Sequence, residues 1–341
     1  MSEIQSQAVP VSNPDRSGKA VSFEDIEAAA ARIRGEALLT PVLRHPVLDE
    51  RTGANVLIKP ENLQRSGSFK FRGAYNCLSQ IPAADRQKGV VACSSGNHAQ
   101  GVAASAQLLG MPATIVMPAD APEIKLERTR GYGATVVTYD RETEDRDGIA
   151  ERLCAETGAT LVHPFDNAAV IAGQGTVGLE LARQAGDLGL RLDDVFACTG
   201  GGGLSSGIAL ALSHLSPATK FHTCEPALFD DYKRSLDAGT RLPNAVKAGS
   251  ICDALLSEMP GEIGFSILHG LAGEGVSVTD DEVLDAVAFA FTELKLVVEP
   301  GGAVALASVL SGKLPLEGKT VGVVLTGGNI DPEMLMKALA R

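Results

Sequence analysis

Tryptophan is absent from the 341 residues and aromatics make up only 4% of them. Any core must therefore be built from Val, Leu, Ile and Ala, as in buried parallel sheets flanked by helices. Basic residues are also in deficit, 30 against 42 acidic ones, for a net charge of −12. That excludes nucleic acid as a partner, because a phosphate backbone demands a basic face. No apolar run reaches the length of a bilayer crossing, so no membrane partner is expected either. Residues 1–20 have neither a basic start nor an apolar stretch; they read as a disordered tail, not a secretory signal. The six cysteines (Cys77, Cys93, Cys154, Cys198, Cys224, Cys252) form no CxxC pair and no metal-ligand spacing. Scattered in this way they suit a reducing cytoplasm, as small buried apolar residues.

What is present is an apolar fraction of 45%, enough to fill real cores, in a chain longer than one typical domain. Ser22-Phe-Glu-Asp resembles a capping box and opens a helix with an apolar stripe at Ile26, Ala30 and Ile33. Apolar strands at 55–59, 89–93, 113–117, 134–139 and 160–163 alternate with helical stretches starting near Arg72, at Ala99, around Ile124 and near Asp147. A second series starts near Val177 and includes strands at 194–198, 220–224 and 320–325 and a long helix over 280–295. Strands separated by helices imply βαβ units and parallel sheets. The break near His163-Pro-Phe-Asp-Asn divides the chain into two α/β lobes. The expected arrangement is a small domain at 88–167 inserted into a larger one made of 21–87 and 168–341.

Three turns carry candidate chemistry, each after an expected strand, where a parallel sheet opens its ligand crevice. Thr199-Gly-Gly-Gly-Gly-Leu-Ser-Ser-Gly207 offers a backbone without Cβ atoms whose amides can converge on one anion, helped by the following helix. At about 1.5–3 kcal/mol per charge-assisted hydrogen bond, several such amides offset the desolvation of a phosphate. No register gives G-x-G-x-x-G, and no Gly-Lys-Ser/Thr follows, so a lone compact phosphate is the better ligand than a dinucleotide. A merely tight turn is the bland alternative. In Ser66-Gly-Ser-Phe-Lys70-Phe-Arg-Gly, the lysine sits between two phenylalanines. Desolvation there lowers its pKa and frees an amine for covalent catalysis on a carbonyl; a solvated loop lysine is the alternative. Ser94-Ser-Gly-Asn-His-Ala-Gln100 opens a helix whose amides can bind a carboxylate, or is an ordinary N-cap.

Taken in order, ENLQRSGSFKFRGAYN, SSGNHAQGVA, GGGGL and LTGGN (Leu325 to Asn329) resemble the serine/threonine dehydratase and serine racemase family. These are pyridoxal-phosphate enzymes of the tryptophan-synthase-β fold type, fold type II. The resemblance runs from about Ile26 to the C-terminus and implies a two-lobed α/β fold of parallel sheets. It further implies that Lys70 is the Schiff-base lysine and general base and that Phe69 packs on the pyridine ring. Asn97 would bond the ring's phenolic oxygen, Gly200, Gly201, Gly202, Gly203 and Leu204 would cradle the phosphate, and Thr326 would face the pyridine nitrogen. Ser95 matches the serine that faces the substrate opposite the lysine in racemase members. Ser94, with the amides around Asn97 and His98, matches the substrate-carboxylate pocket, and Arg146 aligns with an arginine nearby. Glu225 and Asp231, with the backbone oxygen of Phe229, match a divalent-cation site suited to Mg²⁺, Ca²⁺ or Mn²⁺. Relatives form homodimers or homotetramers.

Two departures stand out. The chain ends soon after LTGGN, so a C-terminal regulatory domain and feedback by isoleucine are not expected. Phe71 replaces the family's usual aliphatic residue, a change expected to narrow the pocket. The reaction implied is α,β-elimination of water and ammonia from a small β-hydroxy amino acid, with L-threonine and L-serine leading. Dehydration of 3-hydroxyaspartate and serine racemisation follow as alternatives. A non-catalytic phosphate-binding module is a more distant one, and the missing fingerprint disfavours a nicotinamide oxidoreductase.

Overall fold

The computed structural model describes residues 21–121 and 123–341; the expected tail at 1–20 lies outside them. In chain order the first elements are α1 (Phe23–Ile33), α2 (Pro46–Thr52), β1 (Asn55–Pro60), α3 (Lys70–Ser79), β2 (Val90–Cys93) and α4 (Asn97–Leu109). There follow β3 (Ala113–Pro118), α5 (Glu123–Gly131), β4 (Thr135–Tyr139), α6 (Arg146–Thr157), β5 (Thr160–Leu161) and α7 (Ala168–Asp187). The next are β6 (Asp194–Cys198), α8 (Gly203–Leu215), β7 (Lys220–Pro226), α9 (Asp231–Ala238) and α10 (Glu262–Leu271). The chain closes with β8 (Val276–Val278), α11 (Asp280–Thr292), α12 (Pro300–Leu310), β9 (Thr320–Leu325) and α13 (Pro332–Leu339).

Two sheets form, both parallel throughout: β1-β9-β6-β7-β8 and β4-β3-β2-β5. Every residue of β6 and β9 is buried, which requires cover on both faces. Alternation along the strands divides the labour. Ile58, Phe196, Val323 and Leu325 pack with Val287, Val304 and Leu306 of α11 and α12. Leu57, Val195, Ala197 and Val324 pack with Val177, Leu181, Leu204 and Ile208 of α7 and α8. In the smaller sheet, Val90, Ala92 and Ile115 face Leu78, Val102 and Ala103 of α3 and α4. Val91 and Val116 face Ile149 and Ala150 of α6.

The α1 capping box is present, with Ser22 and Asp25 bonding each other's backbone N–H. Its fully buried stripe is Ile26, Ala29 and Ile33, not Ala30, which lies partly buried at the edge of the same cluster. Helices α3 and α4 start two residues earlier than the apolar pattern indicates, at Lys70 and Asn97, because polar site residues form their first turns. The long helix ends at Thr292, since Lys295 has φ +59° and breaks the continuation.

A buried ionic network fixes the segment before the candidate lysine. Arg72 donates to Glu61 (2.7 and 2.8 Å) and to Glu180 (2.6 and 2.8 Å), and Lys59 reaches Glu180 at 2.7 Å. Arg72, Glu61 and Lys59 are completely buried. Removing one partner would leave an uncompensated buried charge, at about 3–5 kcal/mol, so the start of α3 is pinned to β1 and α7.

Candidate active site

The C-terminal ends of β2, β6 and β9 open onto one cavity of about 280 Å³, near the lower end of small-molecule sites at about 300–1,000 Å³. Phe69, Lys70, Ser94, Ser95, Asn97 and His98 line it. From the large sheet come Gly200, Gly201, Gly202, Gly203, Leu204 and Thr326, and from α6 comes Arg146.

Lys70 is the first residue of α3. It is delivered there by a turn at Ser66 (φ +63°) and Gly67 (φ +75°), where a Cβ on Gly67 would press on Asn329 at 2.6 Å. The Phe69 N–H donates to Thr326 O at 3.1 Å, which ties this segment to the LTGGN turn. The Lys70 amine lies 5.2 Å from the Phe69 ring centre and donates to Pro164 O at 2.8 Å, with no carboxylate partner. Burial of the amine alone pulls its pKa down to about 8. Phe71 does not narrow the cavity: it is buried in the core on the other side, against Tyr75 and under the Arg65 guanidinium.

The tetraglycine turn joins β6 to α8. Three of its four glycines have no room for a side chain. A Cβ on Gly201 would overlap the Phe165 ring, one on Gly202 (φ +90°) would overlap the Tyr232 phenol, and one on Gly203 would meet Gln174 at 2.8 Å. No side chain caps α8, so its first amides remain for a ligand. This turn, free of Cβ atoms, together with the low-pKa amine across the cavity, fits a phosphate-bearing aldehyde.

Asn97 is oriented from both ends. Its Nδ2 donates to Glu299 Oε1 at 2.5 Å, and its Oδ1 accepts from Asn329 Nδ2 at 2.7 Å. Glu299 is buried and its carboxyl is pushed up to about 7, chiefly by that burial. His98 is buried as well, with Nε2 3.0 Å from Val162 O and its pKa driven down to about 3, so it is a neutral ring. Helix α4 begins at a Gly96 N-cap without a side-chain cap, leaving its first-turn amides facing the Ser94-Ser95 turn. Arg146 is about half exposed and holds Asp147 at 2.9 and 3.0 Å.

Sequence patterns miss several cavity residues. Glu299 precedes Pro300 and reads as a helix-start residue; Phe165, Lys125, Tyr139, Arg141 and Asp253 come from loops or element ends with no motif of their own. Lys125 meets Asp253 at 2.7 Å across the mouth, and Arg141 meets Asp120 at 2.8 Å.

Glu225, Phe229 and Asp231 lie together but outside this cavity, at the β7–α9 junction. Glu225 accepts N–H bonds from Tyr232 (2.7 Å) and Lys233 (2.8 Å). Asp231 takes one bond from Asn244 at 2.7 Å and buries its other oxygen without a partner. Burial raises both carboxyls, Glu225 well above its usual range and Asp231 to about 6. Among the described residues no group of three or more His, Cys, Asp or Glu side chains could hold a metal ion. None of the described helices is long and apolar enough to cross a membrane.

Residues 33–327 match the family model described as "Pyridoxal-phosphate dependent enzyme". The chain is 46% identical over 312 residues to the L-threo-3-hydroxyaspartate ammonia-lyase of a Pseudomonas species, covering 92% of this chain and 96% of that protein. It is 40% identical over 312 residues to the serine racemase of Schizosaccharomyces pombe, with 92% and 95% coverage. The solved structure of maize serine racemase superposes with a TM-score of 0.88 at 34% identity, over 94% of this chain and 98% of that one. With a cavity that fits a phosphate-bearing aldehyde and with these relatives, the chain belongs to the pyridoxal-phosphate dependent enzymes of fold type II, in the ammonia-lyase and racemase family.

Proposed function

We propose that this enzyme removes water and ammonia from a dicarboxylic β-hydroxy amino acid, 3-hydroxyaspartate, with Lys70 as attachment point and base. The observation that carries the choice of substrate is a second cationic wall. Besides the α4 amides, the cavity is bordered by Arg146, Arg141 and Lys125. The two arginines are held by largely exposed carboxylates, Asp147 and Asp120. Such pairs are worth about 0–1 kcal/mol, so an incoming carboxylate exchanges with them at little cost. L-Threonine and L-serine, first in the sequence-based order, have nothing to place against that wall. The name of the 46%-identical Pseudomonas relative supports the same reading.

Pyridoxal phosphate, when bound, supplies the electron sink for the charge left by the α-proton. The rest belongs to the chain. The glycine turn at Gly200–Leu204 and the α8 amides hold the phosphate, and Thr326 offers a neutral hydroxyl to the pyridine nitrogen. Asn97, set by Asn329 and Glu299, presents an N–H to the phenolic oxygen, and Phe69 supports the ring. Ser94 and the backbone amides around Asn97 and His98 hold the α-carboxylate, and Arg146 takes the second one. Lys70 Nζ removes the α-proton and returns a proton to the departing β-hydroxyl, which leaves as water. The released enamine hydrolyses to a 2-oxo acid and ammonia. Ser95, which lines the same cavity and matches the serine of racemase members, makes racemisation the second activity to assay.

Glu225, Asp231 and the Phe229 carbonyl form the proposed Mg²⁺ (or Ca²⁺ or Mn²⁺) site. The unpartnered Asp231 oxygen and the raised carboxyls fit a hard cation, whose charge would offset their burial. The small domain at 88–167, a homodimeric or homotetrameric assembly and a cytoplasmic location complete the proposal.

Ammonia release should run at least about tenfold faster in kcat/KM on L-threo-3-hydroxyaspartate than on L-serine or L-threonine. Arg146→Ala should lower the first value at least about tenfold more than the others, the worth of one charge-assisted hydrogen bond at about 1.5–3 kcal/mol. Equal wild-type rates, or equal losses in the variant, would contradict the dicarboxylic reading.

A pH profile tests the lysine itself. Attachment needs the free amine, so a pKa near 8 makes the rate on cofactor-free protein climb about tenfold per pH unit below that value and level above it. Stopped-flow absorbance reads the rate; a climb continuing beyond about pH 9.5 would mean that an ordinary, solvated lysine reacts.

A further inference from the structure

Tyr232 joins two places that the cavity alone leaves unconnected. Its backbone N–H donates to Glu225 Oε1 at 2.7 Å, and its phenol donates to Gly201 O at 3.1 Å. The side chain is completely buried. A Cβ on Gly202 would overlap the phenol, and one on Gly264 in α10 would lie 2.7 Å from its oxygen. The ring is thus wedged between the glycine turn and α10, with space made by two glycines. Gly201 O receives one further bond, from Gly261 N at 3.1 Å. In a planar trans peptide the Gly202 N–H points opposite to the Gly201 carbonyl. Anchoring that oxygen on the tyrosine side therefore aims the Gly202 amide the other way.

At the far end, Glu225 accepts from the N–H groups of both Tyr232 and Lys233, while Asp231, the residue before Tyr232, buries an oxygen without a partner. Any cation drawn between these carboxylates acts on the backbone on either side of Tyr232.

We propose that Tyr232 is a strut by which a divalent cation at Glu225 and Asp231 tightens the phosphate-holding turn, making it a positioning residue for the cofactor. The inference rests on the reading that the tetraglycine turn holds the phosphate and the carboxylate pair takes the cation. By linkage, cofactor and cation then strengthen each other's binding by one factor.

The test is the dissociation constant of pyridoxal phosphate, titrated by absorbance onto the full chain with and without magnesium chloride. Wild type should bind at least about fivefold tighter with magnesium, the lower range of measured couplings. Tyr232→Phe keeps the ring and loses the phenolic donor; it should bind about five- to tenfold more weakly, the loss of one hydrogen bond, with the magnesium effect below about twofold. No magnesium effect in wild type, or a full one in Tyr232→Phe, overturns the strut. Should Tyr232→Phe fail to fold, Asp231→Asn gives the second reading: its magnesium effect should vanish with Tyr232 intact, and persistence overturns the proposal. If Gly202→Ala also binds the cofactor like wild type, the phosphate-cradle reading fails; if only Tyr232→Phe does so, the strut alone fails.

Discussion

Lys70→Ala protein is expected to purify without the yellow colour of lysine-bound cofactor and to release ammonia at least about 10⁴-fold more slowly than wild type. Two contributions are lost together. The covalent attachment disappears, and so does the base, whose removal alone is worth about 10²–10⁴. The structure also says why no other lysine substitutes. Lys125 lines the same cavity, but Asp253 at 2.7 Å overcomes its partial burial and raises its pKa, so it stays charged and unreactive. Lys59 has a pKa lowered by burial, yet it is locked on Glu180 behind β1 and does not reach the cavity. Lys70 is the amine that combines cavity access, desolvation and freedom from a carboxylate. Borohydride trapping followed by peptide mass spectrometry reads the outcome directly. A tag on Lys125 or Lys59, or turnover surviving in Lys70→Ala, would remove the central residue of the mechanism.

Much of this arrangement is legible in the sequence, for reasons that also mark where legibility stops. Strands buried on both faces are continuous apolar runs, so β2, β3, β6 and β9 stand out, and the loops after β2 and β6 and the turn after β9 carry their motifs in adjacent residues. The structure brings SGSFK, SSGNH, GGGGL and LTGGN to one cavity. Helix starts are read late because Lys70 and Asn97 are polar and break the apolar period used to find α3 and α4. The one-residue shift from Ala30 to Ala29 arises because an alanine stripe carries almost no amplitude to fix its phase. Glu299 and Tyr232 were invisible for a different reason. Each acts on a segment far away in sequence, Glu299 on Asn97 and Tyr232 on Gly201, and no local spacing encodes such a pair. Phe71 misleads because adjacency to Lys70 is not proximity: on a helix the next side chain points about 100° away, here into the core.

Gly202→Ala should weaken cofactor binding by at least about a hundredfold, and Gly312→Ala should leave it unchanged. Both glycines have positive φ, +90° and +66°, so both substitutions incur a left-handed backbone cost of roughly 1–2 kcal/mol. They differ in space. Nothing lies within 4 Å of a Cβ at Gly312, whereas at Gly202 the Cβ would overlap the oxygen and ring of Tyr232. Tyr232 cannot retreat. It is completely buried, and Gly264 already lies close against its phenol. The turn must therefore move, with an overpacking cost of about 1–3 kcal/mol. A shift of the turn reorients the Gly202 and Gly203 amides together, so several phosphate hydrogen bonds worth about 1.5–3 kcal/mol each lengthen at once. The loss should appear in the cofactor dissociation constant, with Gly312→Ala controlling for backbone strain. A Gly202→Ala protein that holds pyridoxal phosphate as tightly as Gly312→Ala would mean that the phosphate rests somewhere other than on this turn.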